Sequence, residues 1–187
     1  IVDMETYARR GVFRHFSADC KCSVSVTSRI DVAALKAVEQ ESAFPVRIIE
    51  KKVVEECFDT DSPYTPADEL SFTILNETDQ TVVALRFYFV AYNAEDKTVK
   101  IDKDTLVVTN FGGGQPKLYS ATVQDITLAP GETFQAAQAV HYDTFVGVRA
   151  IVSDYATADG AVVTNPSFPA WQSLAFGLSG SNTTELD

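Results

Sequence analysis

At 187 residues, 45% hydrophobic and 22% charged, the chain has the length and composition to bury a core of its own. Its formal charge is −11, and a surface this acidic repels phosphate backbones, which argues against a nucleic-acid partner. No run of about 18 apolar residues is present to cross a membrane as a helix, and no charged-then-apolar signal peptide is visible within the sequence.

The first 45 residues carry as many basic as acidic side chains, so the whole acidic excess falls on residues 46–187. Asp3 can cap a helix over residues 3–17, with Val12, Phe13 and Phe16 as its apolar stripe and Arg9, Arg10 and Arg14 mostly off it. Cys22, Val24, Val26, Ser28 and Ile30 then alternate with Ser23, Ser25, Thr27 and Arg29, the period of a strand with one face buried. Asp31 can cap a second helix over 32–39, with Val32, Leu35 and Val38 on one side, and Pro45 ends the unit.

Beyond residue 45 the texture becomes that of short strands. Val46, Ile48, Val53 and Val54 predict an extended segment, followed by a turn-rich loop over 59–69. Leu70, Phe72 and Ile74 share one face of the next strand. In the strand after it, Leu85, Phe87, Phe89 and Ala91 face inward, with Arg86, Tyr88 and Val90 on the other side. Turns are predicted at Asn76–Gln80 and Asn93–Lys97, and a strand begins at Thr98. Gly112, Gly113 and Gly114 read as a loop, because no Gly-Lys-Ser/Thr follows and no helix stands behind them to cradle a phosphate. Strands are expected at 119–126, 134–140, 145–155 and 161–164. Pro130-Gly131 suits a type II turn with positive φ at the glycine, and Asp159-Gly160 a tight hairpin. The expected organisation is a helix-strand-helix segment over 1–45, a β-sandwich over 46–178 and a small, polar, mobile tail over 179–187.

Chemistry-bearing constellations are sparse. Three cysteines, Cys20, Cys22 and Cys57, are an odd number for a disulfide framework, and the Cys-x-Cys spacing beside His15 is poor for zinc. His141 and Asp143 can share a strand face, but no nucleophile is placed beside them. Asp59, Asp61, Asp68, Glu69, Asp102 and Asp104 lack the twelve-residue loop ending in Glu that a calcium site of the helix-loop-helix type needs, and read as solvated loop charge. No cofactor is implied. Tyr88, Tyr92 and Trp171 are the surface candidates for ligand contact; Trp171 has the packing of one end of the sandwich as its other reading.

Two stretches resemble known families. Residues 2–50, with Tyr7, Arg9 and Arg10 on the first helix and Ile30, Asp31 and Val32 closing the strand, resemble the opening of chloramphenicol acetyltransferases. Those enzymes depend on a late His-His-x-x-x-Asp-Gly motif, whereas His141 here is followed by Tyr142, Asp143 and Thr144, so the resemblance brings no catalytic half with it. Residues 66–171 are similar to an immunoglobulin-like domain found in envelope and secreted proteins of Gram-positive bacteria. The similar pieces are Phe72 to Thr78, Val90 to Tyr92, Leu128 to Thr133, Asp159-Gly160, Asn165-Pro166 and Trp171. The second resemblance implies an immunoglobulin-like antiparallel β-sandwich preceded by a short α+β segment. It further implies a non-enzymatic accessory or binding module with a protein or glycan partner, located extracellularly or at the cell envelope. The first resemblance implies the alternative, a cytoplasmic acetyltransferase-related chain lacking its catalytic half.

Overall fold

The computed structural model describes residues 29–54, 68–99, 101, 118–140 and 145–176. The predicted helix over 3–17, most of the strand over 22–30, the three cysteines, His15, the 112–114 glycines, His141 to Thr144 and the 179–187 tail lie outside them.

The fold is mostly antiparallel β-sheet with two short helices. One sheet has the order β1 (Val46–Val54), β2 (Asp68–Asn76), β6 (Thr133–Val140). The other joins β4 (Thr98–Val99), β3 (Val82–Tyr92), β7 (Gly147–Thr157) and β8 (Val162–Thr164) in that order, with β5 (Tyr119–Val123) also paired to β3. Helix α1 spans Val32–Glu41 and helix α2 spans Phe168–Ala175.

Alternation decides which side chains the sheets bury. Leu70, Phe72 and Ile74 of β2 meet Leu85, Phe87 and Phe89 of β3 and Val148, Ala150 and Val152 of β7 in one apolar cluster. The Phe72 ring lies 4.9 Å from Phe87 and 5.0 Å from Phe89 at tilted angles, which seats ring edges against ring faces. Arg86, between two buried neighbours, is exposed as its parity requires.

The far face of β3 and β7 is covered as well. Val90 and Ile151 pack with Ile30 and Leu35 from the α1 end of the chain and with Trp171 and Ala175 of α2. Asp31 begins α1 as predicted, accepting from the Ala34 amide at 2.8 Å. Sequence patterning leaves α2 unannounced, because eight residues are too few to display a period. Its signals are Pro169 in the first turn, where a missing N–H costs nothing, and the i, i+4 pair Trp171 and Ala175.

Turns at one end lock the two sheets together. The buried Asn76 amide donates to the Gln80 and Leu128 carbonyls, both at 2.9 Å, while its oxygen accepts from the Thr78 amide and hydroxyl. Gly131 has φ +79°, and the Glu132 amide returns to the Ala129 carbonyl at 3.1 Å, the type II turn predicted at Pro130-Gly131. Gly160, at φ +90°, closes the hairpin between β7 and β8.

Candidate functional site

The most polar enclosed place among the described elements is built around Glu39. Leu35 is fully buried in the second cluster, and Glu39 follows it by one helical turn, so the same face that anchors α1 carries a carboxylate inward. Four donors converge on it. Oε1 accepts from the Ala150 amide at 3.0 Å and the Trp171 indole Nε1–H at 3.2 Å. Oε2 accepts from Lys51 Nζ at 2.8 Å and Arg149 Nη1 at 3.4 Å. The side chain keeps only 12% of its exposure.

A bulge brings Lys51 to this point. The β1–β2 register slips between Ile48 and Glu50, leaving Ile49 as the extra residue. Ile48 lies opposite Ile74, and Lys51 opposite Phe72. Cross-strand partners share a face, so both belong to the inner side of the sheet although their numbers differ by an odd count. An unbroken strand would have turned Lys51 outward.

An open edge of β7 supplies the rest. β8 pairs with β7 only at Asp154 to Ala156. Alongside residues 150–152 side chains satisfy the β7 backbone instead: Glu39 takes the Ala150 amide, and Asn165 Nδ2 donates to the Val152 carbonyl at 2.8 Å. Between α1, β1 and β7 lies a cleft of about 370 Å³ whose charged walls include Lys36, Lys51, Arg149 and Glu39. Arg47, also on its wall, is forked onto Glu77 at 2.6 and 2.7 Å. The hydrogen bonds between them raise the Arg47 pKa and lower that of Glu77. Arg149 Nε is buried with no hydrogen-bond partner among the described residues.

Glu39 has a donor pair on each oxygen and is thereby a structural acceptor that ties α1 to β1, β7 and α2. The cleft is suited to holding a polar group against a fixed wall. Among the described residues, no three His, Cys, Asp or Glu side chains gather where they could hold a metal ion, and no helix is long and apolar enough to cross a membrane.

None of the three candidates drawn from sequence lines the cleft. Trp171 is fully buried and supports the Glu39 node through its N–H, so it offers no face to a ligand. Tyr88 and Tyr92 share the face that alternation assigns them, but α2 and its neighbours pack on that face. The Tyr88 ring lies 4.6 Å from Phe168, and the Tyr92 hydroxyl occupies the space a Cβ at Gly147 would need. Asp68 and Glu69 sit on β2; the other acidic residues considered for calcium are outside the described residues, as is His141. Sequence reasoning missed Glu39. Its one local signal is a charge placed a turn after the most buried residue of an amphipathic helix.

No curated protein matches the chain. Among solved structures it is similar to a hypothetical protein from Peptoclostridium difficile 630, with a TM-score of 0.49 and 14% identity over 76% of this chain and 96% of that one. It is also similar to the structural-genomics target SoR45, with a TM-score of 0.34 and 13% identity over 65% of this chain and 80% of that one. Residues 69–177, running from β2 through α2 and including every strand that pairs with β3, match the model of the family of unknown function DUF5780. That match spans more than half of the sequence, and the chain belongs to the DUF5780 family.

Proposed function

We propose that the chain is a non-catalytic binding module of a bacterial cell-envelope or secreted protein, built as an immunoglobulin-like sandwich. The carrying observation is the Glu39 carboxylate: the cleft's one acid is occupied by four donors and made part of the scaffold, leaving a shaped polar wall rather than an acid–base pair. The strand order supports the architecture. Strands one, two and six form one sheet, and strands three, seven and eight the core of the other, as the A-B-E and C-F-G strands do in immunoglobulin-like folds. The envelope location and the glycan or protein partner rest on the resemblance of residues 66–171 to Gram-positive envelope domains.

The test uses the full chain in two assays. Co-sedimentation with purified Gram-positive cell-wall sacculi is expected to saturate, and thiol release from acetyl-coenzyme A with chloramphenicol is expected to stay at the blank rate. Turnover above the blank would overturn the non-catalytic reading in favour of the acetyltransferase-related one. Sedimentation that never saturates would overturn the envelope-binding reading.

A further inference from the structure

The walls of the Glu39 cleft carry an excess of positive charge in a chain whose formal charge is −11. Arg47 is neutralised by its fork to Glu77. Lys51 and Arg149 share the single negative charge of Glu39. Lys36, one turn before Glu39 on α1, is exposed and lines the same cleft, with no ion pair among the described residues. Among the described residues three cations therefore stand around one carboxylate, and two positive charges are unmatched.

Two of these cations are held in advance. Glu39 fixes the Lys51 ammonium, whose side chain keeps 21% of its exposure, and the Arg149 guanidinium, whose side chain keeps 19%. Ordering long side chains beforehand removes a cost that a ligand would otherwise meet on binding. Arg149 is also underused. Its contact with Glu39, at 3.4 Å, is the longest of the four, and its Nε has no partner among the described residues. A guanidinium with spare donors beside an ammonium is the pairing that recognises a planar or tetrahedral oxyanion.

We propose that this cleft binds an oxyanion, a carboxylate or phosphate group, carried by the module's ligand, with Lys36, Lys51 and Arg149 as the binding residues. The inference deepens the binding-module reading and rests on it. A volume of about 370 Å³ admits a compact anionic group and its attachment, not a large apolar molecule.

The site contains its own reporter. Trp171 is the chain's only tryptophan, and its indole N–H is bonded to the carboxylate that holds the two cations. In 15N-labelled full-length chain the single indole resonance and the Ala150 amide are followed during separate titrations with inorganic phosphate and with acetate, at constant ionic strength maintained with sodium chloride. Saturable shifts of both resonances are expected with at least one anion, weakened at least about tenfold in Lys36→Gln, the loss expected for one charge-assisted contact. Lys36 is exposed, so that variant keeps its fold. Saturation by phosphate alone assigns a phosphate-bearing ligand, by acetate alone a carboxylate, and by both an unselective oxyanion site. Shifts that stay linear with both anions, or wild-type affinity in Lys36→Gln, overturn the proposal. Sacculus binding that persists without any saturable anion shift sinks the cleft and leaves the module reading standing. Anion saturation without sacculus binding does the reverse.

Discussion

Glu39 connects one helix to three other elements through two oxygens. Replacing it by Ala leaves Lys51, Arg149, the Ala150 amide and the Trp171 indole N–H without their acceptor at once. Because the two cations keep about a fifth of their exposure, the loss is smaller than for a sealed ion pair; Glu39→Ala is expected to cost about 2–4 kcal/mol in a urea titration. A cost below about 0.5 kcal/mol, the range of an ordinary surface change, would contradict the role assigned to it. Two exposed carboxylates contribute to the acid limb of stability. The hydrogen bond from Arg47 lowers the Glu77 pKa below 4.5, and the hydrogen bonds from the Thr157 hydroxyl and the Ala161 amide lower that of Asp159 below 3.8. A depressed folded-state pKa means the unfolded chain binds the proton more readily. The contribution is therefore present above these ordinary values and lost as the pH falls through the folded ones. The melting temperature should fall on acidification below about pH 4.5, and Glu77→Gln and Asp159→Asn should each flatten that slope. An unchanged slope in both variants would show that other groups carry it.

At the scale of the element, β1 illustrates how one inserted residue redirects a charge. Deleting Ile49 removes the extra residue and restores unbroken pairing, with Lys51 still opposite Phe72 and still facing Glu39. Lys51→Met should then destabilise the wild-type chain and the deletion background by similar amounts, an independence that a double-mutant cycle measures directly. An effect lost in the deletion background would mean that Lys51 does not share the inner face with Ile48. In β3 the parity is simpler. Phe87 is 1% exposed between Phe72 and Phe89, so Phe87→Ala should cost about 3–5 kcal/mol; Arg86→Ala should cost less than about 0.5 kcal/mol. Similar midpoints in denaturant for the two variants would refute the facing. These strands were legible in sequence because a two-residue period is local. Leu70, Phe72 and Ile74, the alternating face of β3, the Asp31 cap and the Pro130-Gly131 turn all announce themselves within a few residues. The Glu39 node does not, because its donors stand 12, 110, 111 and 132 positions away. The same distance hid the cover over Tyr88 and Tyr92: alternation assigns a face, but only packing says whether a helix lies upon it.

Across the whole molecule, β3 and β7 separate two apolar layers and contribute to both, with Phe87 and Val152 on one side and Val90 and Ile151 on the other. Loss of those strands would therefore dissolve both layers. Unfolding followed by Trp171 fluorescence, which reports the helix-covered layer, should coincide with unfolding followed by far-ultraviolet circular dichroism, which reports the sheets. Separate midpoints would show that the helices detach first. The span between Glu39 and Trp171 also has a consequence in time. As the chain leaves the ribosome, α1 emerges early with its carboxylate, while Arg149, Ala150 and Trp171 are still to be made. At about 5–20 residues per second, the interval from position 39 to 171 lasts several seconds, long enough for slow nonlocal pairing to begin in its absence. The second described helix therefore completes the contacts of the first, and a chain stopped before Phe168 retains every described strand of both sheets but leaves Leu35, Val90 and Ile151 without their cover.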